Sequence, residues 1–239
     1  MLPRPAAAAD RDRVLAYLDE DTTCFYCAGA TWIEPDPYQE WFADLECAHY
    51  INLDFNRIEV LGKEFGQFKP VRQLLLRSNK FLQFPEAVCD LTRLEELNLN
   101  DNNKLFVMPG AILQLQSLVT LQMDDCGLLR LHDSIGYCTA LRFLSLMSNS
   151  ISMIPVTFSS LLKLEILNLS SNRMVFFPPV CHMTGLVQMN LANNEITTLS
   201  LEIGDLVGME VIPYPQNVIV VTNTDAKDRR ASMIRLWVN

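Results

Sequence analysis

The sequence predicts an α/β solenoid, a stack of short strand-and-turn units. Three observations carry that prediction: a nine-residue pattern present in eight copies, a near-constant spacing between them, and an asparagine at one fixed position of nearly every copy. The copies are AHYINLDFN from Ala48, VRQLLLRSN from Val71, LEELNLNDN from Leu94, LVTLQMDDC from Leu118, LRFLSLMSN from Leu141, LEILNLSSN from Leu164, LVQMNLANN from Leu186 and MEVIPYPQN from Met209. Successive starts lie 23, 23, 24, 23, 23, 22 and 23 residues apart. A unit of this size cannot bury its apolar face alone and is stable only when stacked on its neighbours.

The first, fourth and sixth positions of every copy are apolar. Positions four and six have the period-two spacing of a strand, so one face of each strand is assigned to the core and the other to solvent. The ninth position is asparagine in seven copies: Asn56, Asn79, Asn102, Asn149, Asn172, Asn194 and Asn217, with Cys126 as the exception. An amide side chain donates and accepts, so a column of them is suited to the backbone groups left unpaired where each strand turns its corner.

A second apolar set follows the ninth position, exemplified by Ile58 and Leu61, Phe81 and Phe84, and Ile151 and Ile154. Pro85, Pro109, Pro155 and Pro178 each follow such a set directly and favour an extended or turning return over a long helix. A short apolar stretch closes the unit, as in Ala87-Val88 with Leu91, and reads as one helical or 3₁₀ turn on the convex side.

Over residues 48–220 this consensus, LxxLxLxxNxIxxLPxxIxxLxx, resembles the leucine-rich repeat family, and within it the intracellular type of Ras-pathway scaffolds and plant Ras-group repeat proteins. The resemblance implies a right-handed horseshoe with a parallel sheet on its concave face, used as a protein-binding platform. The expected division is residues 1–47 as an acidic flank and helical cap, 48–222 as eight repeats, and 223–239 as a C-terminal cap helix.

End repeats need caps because they would otherwise expose their core edge to water. Residues 8–20 place Val14, Leu15 and Leu18 on one helical face; residues 37–47 place Tyr38, Trp41, Phe42 and Leu45 at helical spacing behind Asp36 and Pro37. The second of these is the better cover for the first repeat. Residues 225–238 put Met233, Ile234 and Trp237 on one face, and the resemblance implies a sealing helix there. The chain departs from that family in lacking a proline pair after the last asparagine, where it has Ile219-Val220-Val221.

With 239 residues, 49% of them hydrophobic, the chain can fill one continuous core. Its formal charge of −9 is unevenly placed: residues 1–47 hold 10 acidic and 3 basic side chains, net −7, leaving −2 for the rest. Phosphate binding needs the opposite balance, so no nucleic-acid partner is expected. The acidic flank reads either as a solvated segment aiding solubility or as a contact for a basic partner. No run of 18 apolar residues occurs, so no membrane insertion is expected. The N-terminus lacks the apolar core of a secretory signal. Seven scattered cysteines do not form a clustered cap and read as reduced thiols, which points to the cytoplasm, with the cytoskeleton and cilium among the places such chains work.

One constellation has chemical spacing. Cys24 and Cys27 form a CxxC, and Cys47 and His49 follow, giving four possible zinc ligands. The second half is an unusual CxH, and packed, reduced cysteines are the alternative; the expectation is no metal. No phosphate loop, nucleophile elbow, metalloprotease or kinase signature occurs, so neither enzymatic activity, cofactor nor small-molecule substrate is expected.

Strand positions three, five and seven are expected to face outward on the concave side. Tyr50, Arg77, Asn98 and Gln122 form part of a mostly polar floor; Glu96 and Asp124 form an acidic stretch, flanked by Asp101 and Asp125; Phe143, Met147 and Ile166 form an apolar stretch beside it. An apolar patch next to charge is the usual look of a protein interface. The sequence thus points to a non-enzymatic scaffold or adaptor subunit of a larger assembly. The alternatives are a regulatory subunit of a phosphatase or small GTPase, and a zinc or redox protein using the N-terminal cysteines.

Overall fold

The computed structural model describes residues 24–26, 28–29, 48–176, 183, 185–196, 219–220 and 235–236. Each repeat within 48–196 begins with a three-residue strand centred on its fourth position. These are β2 (Tyr50–Asn52), β3 (Gln73–Leu75), β4 (Glu96–Asn98), β5 (Thr120–Gln122), β6 (Phe143–Ser145), β7 (Ile166–Asn168) and β8 (Gln188–Asn190). Together with β1 (Cys24–Tyr26) they form one eight-stranded sheet in sequence order. Every pair within this sheet is parallel, and equivalent repeat positions sit opposite each other, as with Leu74 and Leu97 or Leu144 and Leu167.

The apolar pattern explains the register. The residues at positions one, four and six of the seven repeats from Ala48 to Leu191 are all buried, none more than 6% exposed. A slip of one residue would move the whole set to the solvent face, so the pattern fixes the pairing. Between strands the chain returns through 3₁₀ turns at Lys63–Gln67, Glu86–Asp90, Gly110–Gln114, Asp133–Tyr137 and Val156–Ser160. Pro85, Pro109 and Pro155 stand at the entrances of three of these turns, where a missing N–H costs nothing.

The ends differ from expectation. The cap helices expected over 8–20 and 37–47 lie outside the described residues. What pairs with the first repeat's strand is β1, with Cys24 opposite Tyr50, so the flank contributes a strand that satisfies the edge groups of β2. The eighth repeat from Met209, including Asn217, also lies outside the described residues. The C-terminal cap helix is corrected where the chain is described: Arg235–Leu236 is a strand, pairing antiparallel with Ile219–Val220. The run of β-branched residues at 218–221, standing where the family would have prolines, favours extended backbone.

Candidate functional site

The site is built on the outward face of the sheet, and the asparagine column holds it in place. Asn149 donates from Nδ2 to the carbonyls of Met123 (2.8 Å), Leu146 (2.9 Å) and Met147 (3.1 Å), and its Oδ1 accepts from the N–H groups of Cys126 (3.1 Å) and Leu128 (2.9 Å). Asn79, Asn172 and Asn194 make the same kind of bridge between two repeats. Asn56, Asn79, Asn102, Asn149 and Asn172 are buried, while Asn194 is half-buried. At the exception, Cys126 Sγ donates to Leu99 O (3.1 Å), the place an asparagine amide would take.

The residue before the ninth position is left-handed in every described repeat: Phe55, Ser78, Asp101, Asp125, Ser148, Ser171 and Asn193 have φ between 52° and 61°. Serine, asparagine and aspartate tolerate this region through local hydrogen bonding, whereas Phe55 has no such means. This left-handed row turns the chain off the sheet and presents Asp101 and Asp125 at its rim.

On the outward face, one rule of hydrogen bonding was missed by sequence reasoning. The N–H at position seven needs an acceptor. Where position five is asparagine, that side chain supplies it, as Asn98 does for Asn100 (3.0 Å). Where position five is Leu75, Gln122 or Ser145, the acceptor comes from position seven of the preceding repeat. Asp54 accepts from Arg77 N–H (2.7 Å), Asn100 from Asp124 N–H (2.7 Å) and Asp124 from Met147 N–H (2.7 Å). The complementary occupancy of positions five and seven was readable in the sequence and identifies these groups as framework.

The nominated side chains divide accordingly. Tyr50 and Asn52 bond to each other, Glu96 accepts from Gln73 Nε2 (3.1 Å), and Asn98 donates to Gln122 Oε1 (3.0 Å). Arg77 is exposed, ion-paired through Nε to Asp101 (2.8 Å) and placed 5.6 Å over the Phe55 ring. Asp124 Oδ1 accepts from Ser145 Oγ (2.7 Å) as well as from Met147, so this carboxylate belongs first to the framework. Burial pushes the Asp124 carboxyl above its ordinary range; the bonds from Ser145 and Met147 oppose that, and Asp125 and Asp101 add to it. Phe143 and Ile166 stand opposite each other on neighbouring strands, and with Met147 they remain half-exposed. The acidic and apolar stretches are therefore brought together across β4 to β7.

Of the proposed metal ligands, Cys24 is half-buried and His49 exposed, while Cys27 and Cys47 lie outside the described residues. Among the described residues no group of three or more His, Cys, Asp or Glu is placed to hold a metal ion. Burial pushes the thiols of Cys89, Cys126 and Cys138 up to about 12, so they are neutral and unreactive at physiological pH. Among the described residues no helix is long and apolar enough to cross a membrane.

No family model matches the chain. It is 29% identical over 168 residues to the probable inactive serine/threonine-protein kinase roco10 of Dictyostelium discoideum, covering 70% of this chain and 5% of that protein. It is 31% identical over 169 residues to receptor-like protein 41 of Arabidopsis thaliana, covering 65% and 18%. It is 27% identical over 161 residues to the volume-regulated anion channel subunit LRRC8D of Rattus norvegicus, again covering 65% and 18%. The chain thus spans less than a fifth of the length of these three relatives.

Among solved structures, a leucine-rich-repeat protein of Leptospira interrogans matches with a TM-score of 0.51 and 24% identity, over 71% of this chain and 55% of that one. The leucine-rich-repeat ectodomain of the Arabidopsis thaliana receptor kinase GASSHO1/SCHENGEN3, solved with Casparian strip integrity factor 2, matches with a TM-score of 0.62 and 23% identity, over 74% and 22%. The chain has the leucine-rich-repeat fold.

Proposed function

We propose that this chain is a non-enzymatic protein-binding scaffold of the intracellular, Ras-scaffold-like type, working as a subunit of a larger assembly. The observation that carries the reading is the half-exposed apolar pair Phe143 and Ile166, in register on β6 and β7, with Met147 alongside and the carboxylates of Glu96, Asp101, Asp124 and Asp125 on the preceding repeats. A rigid sheet that shows apolar anchors beside fixed charge offers a partner polypeptide both contact area and orientation. The ectodomain neighbour solved with its factor lends the reading support as a repeat array in a complex with a ligand. The cytoplasm, with cytoskeletal or ciliary assemblies among the settings, fits the neutral buried thiols.

The test is affinity capture from native cells with matched variants. Phe143→Ala should weaken capture by about 1–3 kcal/mol while leaving the melt unchanged, because its side chain is off the core. Leu144→Ala, one residue on and fully buried, should instead destabilise the fold by about 2–5 kcal/mol. Unchanged capture by Phe143→Ala, Met147→Ala and Glu96→Ala, together with loss on substitution within the acidic flank, would move the binding surface off the sheet.

A further inference from the structure

From the second to the sixth repeat, the flank of the solenoid that follows the asparagine column has the opposite charge from the outward face of the sheet, while the first repeat's stretch holds Arg57 with Glu59 and the seventh's Glu195. In the stretches 80–84, 103–108, 127–131, 150–154 and 173–176 there are four cations, Lys80, Lys104, Arg130 and Arg173, and no acidic residue. All four cations are exposed and make no ion pair among the described residues. By contrast Arg72 and Arg142, on the side where strands begin, are each paired, with Glu95 and Glu165. The same stretches expose Leu82, Phe106, Val107, Leu129, Met153 and Phe176, with Met153 68% and Phe176 66% exposed.

These side chains form one surface because the stretches are bonded to one another. Leu129 N–H donates to Phe106 O (3.2 Å), Ser150 N–H to Leu128 O (2.8 Å) and Arg173 N–H to Ile151 O (3.0 Å), and Val107 pairs with Arg130 as an isolated parallel bridge. A recess of about 370 Å³ opens on this flank, lined among others by Val107, Met153, Pro155, Arg130, His132 and Asp133. Its size is at the low end of the roughly 300–1,000 Å³ that binding pockets occupy, suited to one bulky side chain of a longer ligand.

We propose that this flank is a second docking surface, for a polypeptide segment that carries acidic residues around an apolar anchor. The anchor fills the recess between Val107 and Met153, and its flanking carboxylates meet Lys104, Arg130 and Arg173. Apolar core within a charged rim is the anatomy of a protein interface, and unpaired cations complement an acidic partner. An anionic membrane is the other surface that seeks cations and apolar side chains. Screening limits either partner to charges within about 8 Å at physiological salt, so the choice between them falls to shape. The recess has a use for a protruding side chain and none for a headgroup plane.

The experiment presents the full chain to a displayed library of random twelve-residue peptides, then measures selected peptides by fluorescence anisotropy. Phosphatidylserine vesicles serve as a parallel probe. The expected result is enrichment of peptides with several Asp or Glu around Trp, Phe or Leu, with affinity falling about tenfold in the triple variant Lys104→Glu, Arg130→Glu, Arg173→Glu. Met153→Asp should weaken the same peptides, and Phe143→Ala should leave them unchanged, which separates this surface from the sheet. Unaltered melting curves of the flank variants show that the fold is kept. No enrichment of acidic peptides, binding indifferent to the flank variants, or vesicle capture abolished by charge reversal in the absence of peptide binding would each overturn the proposal.

Discussion

Asn149 and Cys126 occupy the same repeat position, and the difference between them is the difference in what the preceding loop offers. Asn149 serves three carbonyls and two N–H groups across two repeats, so Asn149→Leu should cost about 3 kcal/mol in chemical denaturation by leaving buried groups unpaired. At Cys126 the preceding repeat is one residue longer, and Leu105 N–H is already bonded to the carbonyls of Asn102 (3.1 Å) and Cys126 (3.0 Å). An amide there gains donors for carbonyls, but the Leu105 N–H its oxygen would face is already taken. Cys126→Asn should therefore shift stability by no more than about 1 kcal/mol. A large loss there with a harmless Asn149→Leu would refute the assignment of the column. Asp124 supplies a second test. Its folded-state carboxyl sits above the ordinary value of 3.8, chiefly through burial, so the folded state binds that proton more tightly than the unfolded chain. Its stabilising contribution is complete below 3.8 and is lost as pH rises through the raised value. Asp124→Asn keeps an oxygen for Ser145 and Met147 and removes the charge, so the variant should melt at or above wild type at pH 7. Wild type should close that gap as pH falls through the raised value toward 3.8; a gap unchanged down to that pH would show that Asp124 does not titrate in this way.

At the scale of strands and turns, most of the molecule is legible because the same constraint recurs in every repeat. Period-two apolar positions gave the strands and their register, and prolines before a short apolar stretch gave the 3₁₀ turns. What sequence reasoning missed needs two repeats read at once: the exchange of acceptors between positions five and seven, and with it the framework role of Asp54 and Asp124. The C-terminal flank departs from expectation because the helical spacing of Met233, Ile234 and Trp237 competes with the strand-forming run at Ile219–Val220, which pairs with Arg235–Leu236. The outward face was legible as a set of positions, while its chemistry as a partner site depends on what docks there, which no single chain encodes. Turn packing yields a sharper expectation. A Cβ at Gly136 would lie 2.2 Å from the carbonyl oxygen of Thr157, a backbone atom of the next turn that cannot swing away. Gly136→Ala should destabilise the protein by about 1–3 kcal/mol or somewhat more, read as a lowered denaturation midpoint. A neutral effect would mean that neighbouring turns slide past each other freely.

Across the whole molecule, every strand of the long sheet pairs only with the strands before and after it, and turns pack on neighbouring turns. Stability in such an array is close to a sum of repeat terms and nearest-neighbour terms, so the effect of a core substitution should reach one repeat away and fade beyond. Leu144 and Leu167 face each other in register on β6 and β7, whereas Leu74 lies on β3, four strands from Leu167. Each Leu→Val change trims a fully buried side chain and should cost about 1 kcal/mol by analogy with the loss of one core methylene. Leu74→Val combined with Leu167→Val should be additive to within about 0.5 kcal/mol, because the sites share no wall. Leu144→Val combined with Leu167→Val should depart from additivity by about 0.5 kcal/mol or more, since the two vacated spaces adjoin and relax together. Urea denaturation of the three singles and two doubles measures both coupling terms. Equal coupling in the two pairs would show that the core responds as a single globule, and a repeat-by-repeat account of both docking faces would then lose its basis.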